Sequence, residues 1–235
     1  ENYIIRKSTR KNHFSHIIAS NIDQAFLIIT LKNPRTSLGF IDRFLVSTES
    51  FRIPTSILVN KMDMDYKDKD MEYLEDIKDI YVPLGYQVYE ISALNSTVLQ
   101  EQFLPLLKGK TTLLSGHSGV GKSTLVNSLV PDALRTTGEV NDVTGRGKHT
   151  STSARAIPLP NDSGWVIDTP GLRSFGLAHV KPEDIIESFP ELVDGANECP
   201  RACTHVNSVG QSPPDCALDE WVSQNHAGSA GEGRL

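Results

Sequence analysis

An apolar run over residues 111–115 leads straight into Gly116-His117-Ser118-Gly119-Val120-Gly121-Lys122-Ser123-Thr124, and a helical pattern opens near Lys122. No other stretch constrains the fold as tightly. Glycines at these spacings let successive backbone N–H groups turn toward one point, and the first turn of the helix adds unpaired donors at its positive end. Such a nest holds α- and β-phosphates. Lys122 is expected to reach the β- and γ-phosphates, and Ser123 to offer its hydroxyl to Mg²⁺. The strand before and the helix after supply the context that a chance glycine-rich loop lacks.

A loop of this kind needs a parallel sheet to stand on, and the rest of the chain supplies one. Short runs rich in Ile and Val at 25–31, 55–59, 87–91, 111–115 and 165–167 alternate with amphipathic stretches, the pattern of strands and helices around a buried, mostly parallel α/β sheet. Leu38, Ile41 and Leu45 recur at helical spacing between the first two runs, and Met71, Leu74, Ile77 and Tyr81 between the next two. Residues 136–153, rich in Thr, Gly and Arg, lack apolar periodicity and read as a long functional loop. At 235 residues the chain exceeds a typical domain of roughly 100–150, so a main domain with small appendages is expected. No apolar run approaches the roughly 20 residues of a bilayer span, and no membrane partner is expected. A net charge of −6 argues against indiscriminate nucleic-acid binding. Two local basic patches, Arg6, Lys7, Arg10, Lys11, His13 and His16, then Arg146, Lys148 and His149, read equally as RNA contacts or solvated arms.

Asn60-Lys61-Met62-Asp63 follows the run at 55–59, at the strand end where such sheets present ligand contacts. Asp63 can accept from the ring N–H and amino group of guanine, which adenine cannot match, so the wrong base leaves a buried acceptor unpaired. Asn60 would tie the loop together, with the Lys61 stem across the base. Ser92-Ala93-Leu94 follows the next strand, where backbone groups can meet guanine O6. Asp168-Thr169-Pro170-Gly171 closes the run at 165–167: Asp168 is placed to hold Mg²⁺ through water, and the Gly171 N–H to meet a γ-phosphate. The next residue, Leu172, cannot orient an attacking water. The catalytic candidate is therefore His149 in the threonine loop, which could equally anchor phosphate or touch RNA; Thr150 or Thr152 would complete the Mg²⁺ shell.

Cys199, Cys203, His205 and Cys216 use every cysteine in the chain. Three thiolates and an imidazole suit one closed, structural, tetrahedral Zn²⁺ site. An odd cysteine count clustered with a histidine fits a reducing compartment better than a disulfide framework, which points to the cytoplasm.

In most GTPases the phosphate loop precedes the guanine motif, whereas here the order is Asn-Lys-Met-Asp, Ser-Ala-Leu, phosphate loop, threonine loop, Asp-Thr-Pro-Gly. With the Cys-Cys-His-Cys cluster and Leu172, that order resembles the bacterial ribosome small-subunit-dependent GTPase A family over residues 3–221. The resemblance implies a circularly permuted P-loop GTPase with a small helical zinc domain. It further implies a cytoplasmic, monomeric factor that binds GTP and GDP and acts late in assembly of the small ribosomal subunit. Its partners would be that subunit and its rRNA, and the subunit would stimulate hydrolysis to GDP and phosphate. Three departures stand against the family pattern. The family's N-terminal OB-fold barrel is expected to be largely absent, residues 3–6 reading as its last strand. The first two cysteines lie closer together, with a longer insertion, 206–215, before the last. The further helix that the family suggests is not expected after Trp221. The expected organisation is 1–15 as barrel remnant and linker, 16–178 as GTPase domain, 179–226 as zinc domain and 227–235 as a disordered tail. Because the threonine loop runs toward the zinc domain, nucleotide state is expected to reach it through 172–179. A nucleotide-switched RNA-binding scaffold without turnover is the second reading. A P-loop ATPase or small-molecule kinase ranks last, since it leaves the guanine motifs unused.

Overall fold

The protein is described from a computed structural model covering residues 2–7, 15–131, 154–169, 180, 185–201, 203, 205 and 216–228. Strands are β1 (Tyr3–Lys7), β2 (Ser15–Ser20), β3 (Gln24–Ile29), β4 (Thr55–Val59), β5 (Gln87–Glu90), β6 (Lys110–Gly116), β7 (Arg155–Pro158) and β8 (Gly164–Asp168). Helix α1 spans Leu38–Glu49 and α2 spans Asp68–Tyr81.

β3 organises the sheet. Its residues from Ala25 to Ile29 are all buried, so it is covered on both faces and suits the centre of a parallel sheet. It pairs in parallel with β4, Leu27 opposite Ile57, and with β6, Leu27 opposite Ser115. The full order is β5-β4-β3-β6-β8-β7, parallel except for β7, which closes the edge antiparallel to β8.

Alternate side chains feed two cores, as the period of two along a strand requires. Leu27, Ile29, Ile57 and Val59 pack under Phe40, Phe44 and Leu45 of α1 and Leu74, Ile77 and Tyr81 of α2. Phe26, Ile28, Leu58 and Leu114 face the other way, against Leu99, Phe103 and Leu107 and against Leu125, Val126 and Leu129 of the helix Lys122–Leu129. The result is an α/β/α sandwich. Each fully buried aliphatic or aromatic side chain contributes roughly 1.5–3 kcal/mol.

From β3 the chain winds outward through β4 to β5, then crosses back to β6 on the other side of β3 and continues to β8. The winding direction reverses between β3 and β6. Crevices at such a reversal, beyond the carboxyl ends of the strands, are where open α/β sheets take ligands. The loops after β3, β4, β5, β6 and β8 all leave from that edge.

The observed strands extend or trim the expected ones by one or two residues. Two went unread. β7 contains Pro158 and buries only Ile157, and an edge strand with a single inward side chain leaves no alternation to detect. β2 pairs antiparallel with β1 over Tyr3↔Ser20 to Lys7↔Ser15, so one ladder crosses the expected boundary at 15/16. The Asn2 side chain accepts from the Ile22 N–H and donates to the Ile22 carbonyl, each at 2.7 Å, and binds this hairpin to the approach to β3.

Near the C-terminus, Leu192, Leu218 and Ala227 form a separate small core beneath Trp221. Trp221 lies so close to Gly195 that a Cβ there would stand 2.4 Å from the ring, and its indole N–H donates to the Glu191 carbonyl at 3.1 Å. No helix among the described residues is long and apolar enough to cross a membrane.

Candidate functional site

The guanine-type loop, the Ser-Ala-Leu loop and the phosphate loop meet at one side chain. Asn60, 1% exposed, donates from Nδ2 to the Val120 carbonyl at 2.8 Å and accepts at Oδ1 from the Ala93 N–H at 2.9 Å. Its own N–H is taken by the Ile29 carbonyl at the end of β3. An amide is the side chain suited to this position, because it offers a donor and an acceptor at once. Ser128, on the helix that follows the phosphate loop, adds a bond from Oγ to the Ala93 carbonyl at 2.8 Å.

Within the phosphate loop, Gly119 and Gly121 have φ of +89° and +90°, a region L side chains rarely adopt. At Gly121 space is also closed: a Cβ would lie 2.4 Å from Asn60 Nδ2. Lys122 opens its helix, is 7% exposed, and sets its ammonium 3.0 Å from Asp168 Oδ1. Asp168 ends β8 opposite Leu114 of β6, and Thr169 donates from Oγ1 to the Leu114 carbonyl at 3.0 Å. Ser118, Gly119, Ser123 and Thr124 are exposed along the same stretch, with His117 half-buried. The site thus gathers backbone donors, one ammonium, one carboxylate and a hydroxyl, the donor set suited to a phosphate and a hard divalent cation.

On the base side, Ser92 Oγ donates to Asp63 Oδ1 at 2.6 Å and accepts from the Leu94 N–H at 3.2 Å. Asp63 is exposed and braced, with further acceptor capacity for a ligand. Leu94 is 74% exposed. The Met62 N–H bonds the Ile91 carbonyl at 3.0 Å, which keeps the two loops level. Lys61, with φ +69°, sends its ammonium to the carbonyls of Asn33 and Gly119, both at 2.6 Å. Its carbonyl accepts from Tyr66 Oη at 2.9 Å.

Sequence reading missed the fifth loop, residues 30–37, which leaves β3 beside the phosphate loop. A Cβ on Gly119 would lie 3.3 Å from Pro34 Cδ. An Asn-Pro turn directly after a central strand was the available signal. Tyr66 was missed for a plainer reason: nothing in the sequence marks a phenol that binds a carbonyl.

Cys199, Cys203, His205 and Cys216 come together with their ligand atoms all within 4.8 Å of one another. His205 Nδ1 stands 3.6, 3.6 and 3.7 Å from the sulfurs of Cys199, Cys203 and Cys216, and Cys199 and Cys216 are 3.8 Å apart. A tetrahedron with metal–sulfur bonds of about 2.3 Å and a metal–nitrogen bond of about 2.05 Å has edges of about 3.8 and 3.6 Å. The cluster could therefore hold one metal ion. The Ala217 N–H donates to Cys199 Sγ at 3.2 Å, the outer contact that orients a ligand. Burial, offset in part by the Leu218 N–H and reinforced by the Cys199 and Cys203 thiols, pushes the Cys216 thiol up to about 11.

His149, Thr150, Thr152, Gly171, Leu172 and the segments 136–153 and 172–179 lie outside the described residues. For Asn60, an expected outcome follows from its two partners. Asn60→Ala leaves the Val120 carbonyl and the Ala93 N–H buried and unpaired, so the chain should lose about 2–4 kcal/mol of unfolding free energy in a urea titration. A loss under about 0.5 kcal/mol would mean that the three loops are held by something else.

Comparison with known proteins places this geometry. A family model described as RsgA GTPase matches residues 1–178. A small ribosomal subunit biogenesis GTPase RsgA from Azobacteroides pseudotrichonymphae is 43% identical over 228 residues, spanning 96% of this chain and 70% of that protein. Its namesake from Bacteroides fragilis is 41% identical over 231 residues, with 96% and 71% covered. Among solved structures, YjeQ from Thermotoga maritima superimposes with a TM-score of 0.68 at 30% identity, over 100% of this chain and 73% of that one. YloQ, described as a circularly permuted GTPase, shares the fold with a TM-score of 0.62 at 24% identity, covering 99% and 78%. A family model over residues 1–178 and relatives more than 40% identical over most of their length agree, and this chain belongs to the RsgA GTPase family.

Proposed function

We propose that this GTPase binds GTP at the carboxyl edge of its sheet and hydrolyses it in the service of small-ribosomal-subunit maturation, with the subunit stimulating turnover. The observation that carries the reading is the Asn60 junction, which ties the loop that bears Asp63 to the loop after β5 and to residues 116–121. The subunit comes from the names of the relatives, which are small ribosomal subunit biogenesis GTPases.

In this reading the backbone of residues 116–121 cradles the phosphates, Lys122 meets the β- and γ-phosphates, and Asp63 accepts from guanine while Ala93 and Leu94 face O6. Ser123 and Asp168 would hold Mg²⁺, whose charge offsets that of the phosphate oxygens. Thr150 or Thr152 would complete the Mg²⁺ shell, and the Gly171 N–H would meet the γ-phosphate. With Leu172 where other GTPases carry a glutamine, His149 orients water once the subunit orders its loop. The Cys199, Cys203, His205 and Cys216 set holds structural Zn²⁺, because closed sites of three thiolates and an imidazole suit that ion. The protein acts as a cytoplasmic monomer with no membrane partner, and its basic residues near 6–16 and 146–149 approach rRNA.

Single-turnover hydrolysis with and without small ribosomal subunits tests this directly. The native chain should be strongly stimulated, and His149→Ala should remove about 10²-fold of the stimulated rate. Nucleotide-dependent binding to the subunit without turnover would favour the switched scaffold instead, the reading that Leu172 suggests. Asp63→Asn inverts one hydrogen-bond polarity, so it should weaken GTP by about 10- to 100-fold and strengthen xanthosine triphosphate. Unchanged base preference would remove the guanine assignment. Elemental analysis should give one zinc per chain and almost none in Cys203→Ser; a native chain without zinc would end that assignment.

A further inference from the structure

Taking the site as a guanine-nucleotide pocket, we infer that Phe40, which lies outside every sequence motif, is a positioning residue for the phosphate loop through the ring of His117. The two rings are stacked with centroids 3.6 Å apart and planes inclined by 28°. Phe40 is 1% exposed, so the face it offers His117 is set by the core of the protein and not by solvent.

The chain delivers Phe40 there by a short, well-fixed route. After β3 the loop 30–37 turns back on itself, with the Thr36 N–H on the Thr30 carbonyl at 3.0 Å and the Thr30 N–H on Thr36 Oγ1 at 3.2 Å. Tyr73 of α2 donates its hydroxyl to the Thr36 carbonyl at 2.6 Å. The first turn of α1 follows at once, with the Phe40 N–H on the Ser37 carbonyl at 3.0 Å. Because β3 and β6 are paired, Ile28 opposite Gly116, that first turn comes up beside the residue that follows Gly116. That residue is His117.

The phosphate loop is braced at several points already described. Gly116 abuts the Ile28 carbonyl so closely that a Cβ would stand 2.4 Å from it. Gly119 and Val120 give their carbonyls to Lys61 and Asn60, and Lys122 pairs with Asp168. The stack acts between these anchors, at the start of the turn that aims the backbone N–H groups. A cradle of backbone donors binds only as well as its donors are pre-aimed, since ordering them on arrival of the ligand costs affinity. A planar ring with two torsions, stacked on a buried ring, fixes that stretch at small entropic cost.

The measurement is titration of fluorescent GTP and GDP into the native chain, His117→Ala, His117→Phe, Phe40→Leu and the double variant His117→Ala/Phe40→Leu, with thermal melts alongside. His117→Ala and Phe40→Leu should each weaken both nucleotides by about 3- to 10-fold. The double variant should bind no more weakly than His117→Ala alone, because one contact is lost either way. His117→Phe, which keeps a ring in the stack, should stay within about 2-fold of native. Native affinity in His117→Ala, additive losses in the double variant, or a His117→Phe as weak as His117→Ala would each overturn the assignment. Leucine keeps most of the buried volume at position 40; if that variant nevertheless fails to fold, the comparison of His117→Ala with His117→Phe decides alone. A native chain that binds neither nucleotide defeats the nucleotide reading itself, an outcome distinct from native binding that His117→Ala leaves untouched.

Discussion

One carboxamide holds the site together. Asn60 joins loops whose partner residues lie 33 and 60 positions further along the chain, and it does so with both of its polar atoms from a fully buried position. Buried amides of this kind are costly to leave half-paired, so the junction is favourable only when all three loops stand at their proper heights. The sheet sets those heights. β3, β4, β5 and β6 run parallel in register, and their carboxyl ends finish along one edge where short loops can exchange hydrogen bonds.

This is why the permuted order leaves the site intact. A parallel sheet fixes where each strand ends but not the order in which the chain visits the strands, and Asn60 makes its contacts with the loops that leave those ends. Lys61 shows the same logic: its ammonium spans from the loop after β3 to the phosphate loop, joining segments that no local sequence feature connects. Asp63 is held by Ser92, so its carboxylate is oriented by a residue from the next loop over.

What could be read from sequence follows from the same division. The phosphate loop, the Asn-Lys-Met-Asp motif and the cysteine cluster are each written in side chains with distinct chemistry at short spacing, and the first two lie at the ends of the strands expected before them. The central strand was legible because burial on both faces leaves an unbroken apolar run. The bonds that unite the loops were not legible, because the carbonyls of Val120, Gly119, Asn33 and Lys61 are present in any sequence and carry no residue signature. Phe40 escaped for a related reason: at helical spacing within α1 it is indistinguishable from Phe44 and the other core residues, and only the turn of the loop before it brings its ring to His117. β7, with a single buried side chain, offered no period at all.

Lys122 and Asp168 sit where little water reaches, and removing either from such a pair leaves the other uncompensated at a cost of about 3–5 kcal/mol. Their pairing is weak evidence for stability, since well-packed apolar residues of similar volume would often serve a fold as well or better. Its place in the structure points elsewhere. The ammonium opens a helix and the carboxylate closes β8, so both stand at the edge where the other loops converge. Opposite charges 3.0 Å apart compensate one another there, beside the exposed Ser118, Ser123 and Thr124, and together these groups make a donor set suited to a phosphate and a hard cation.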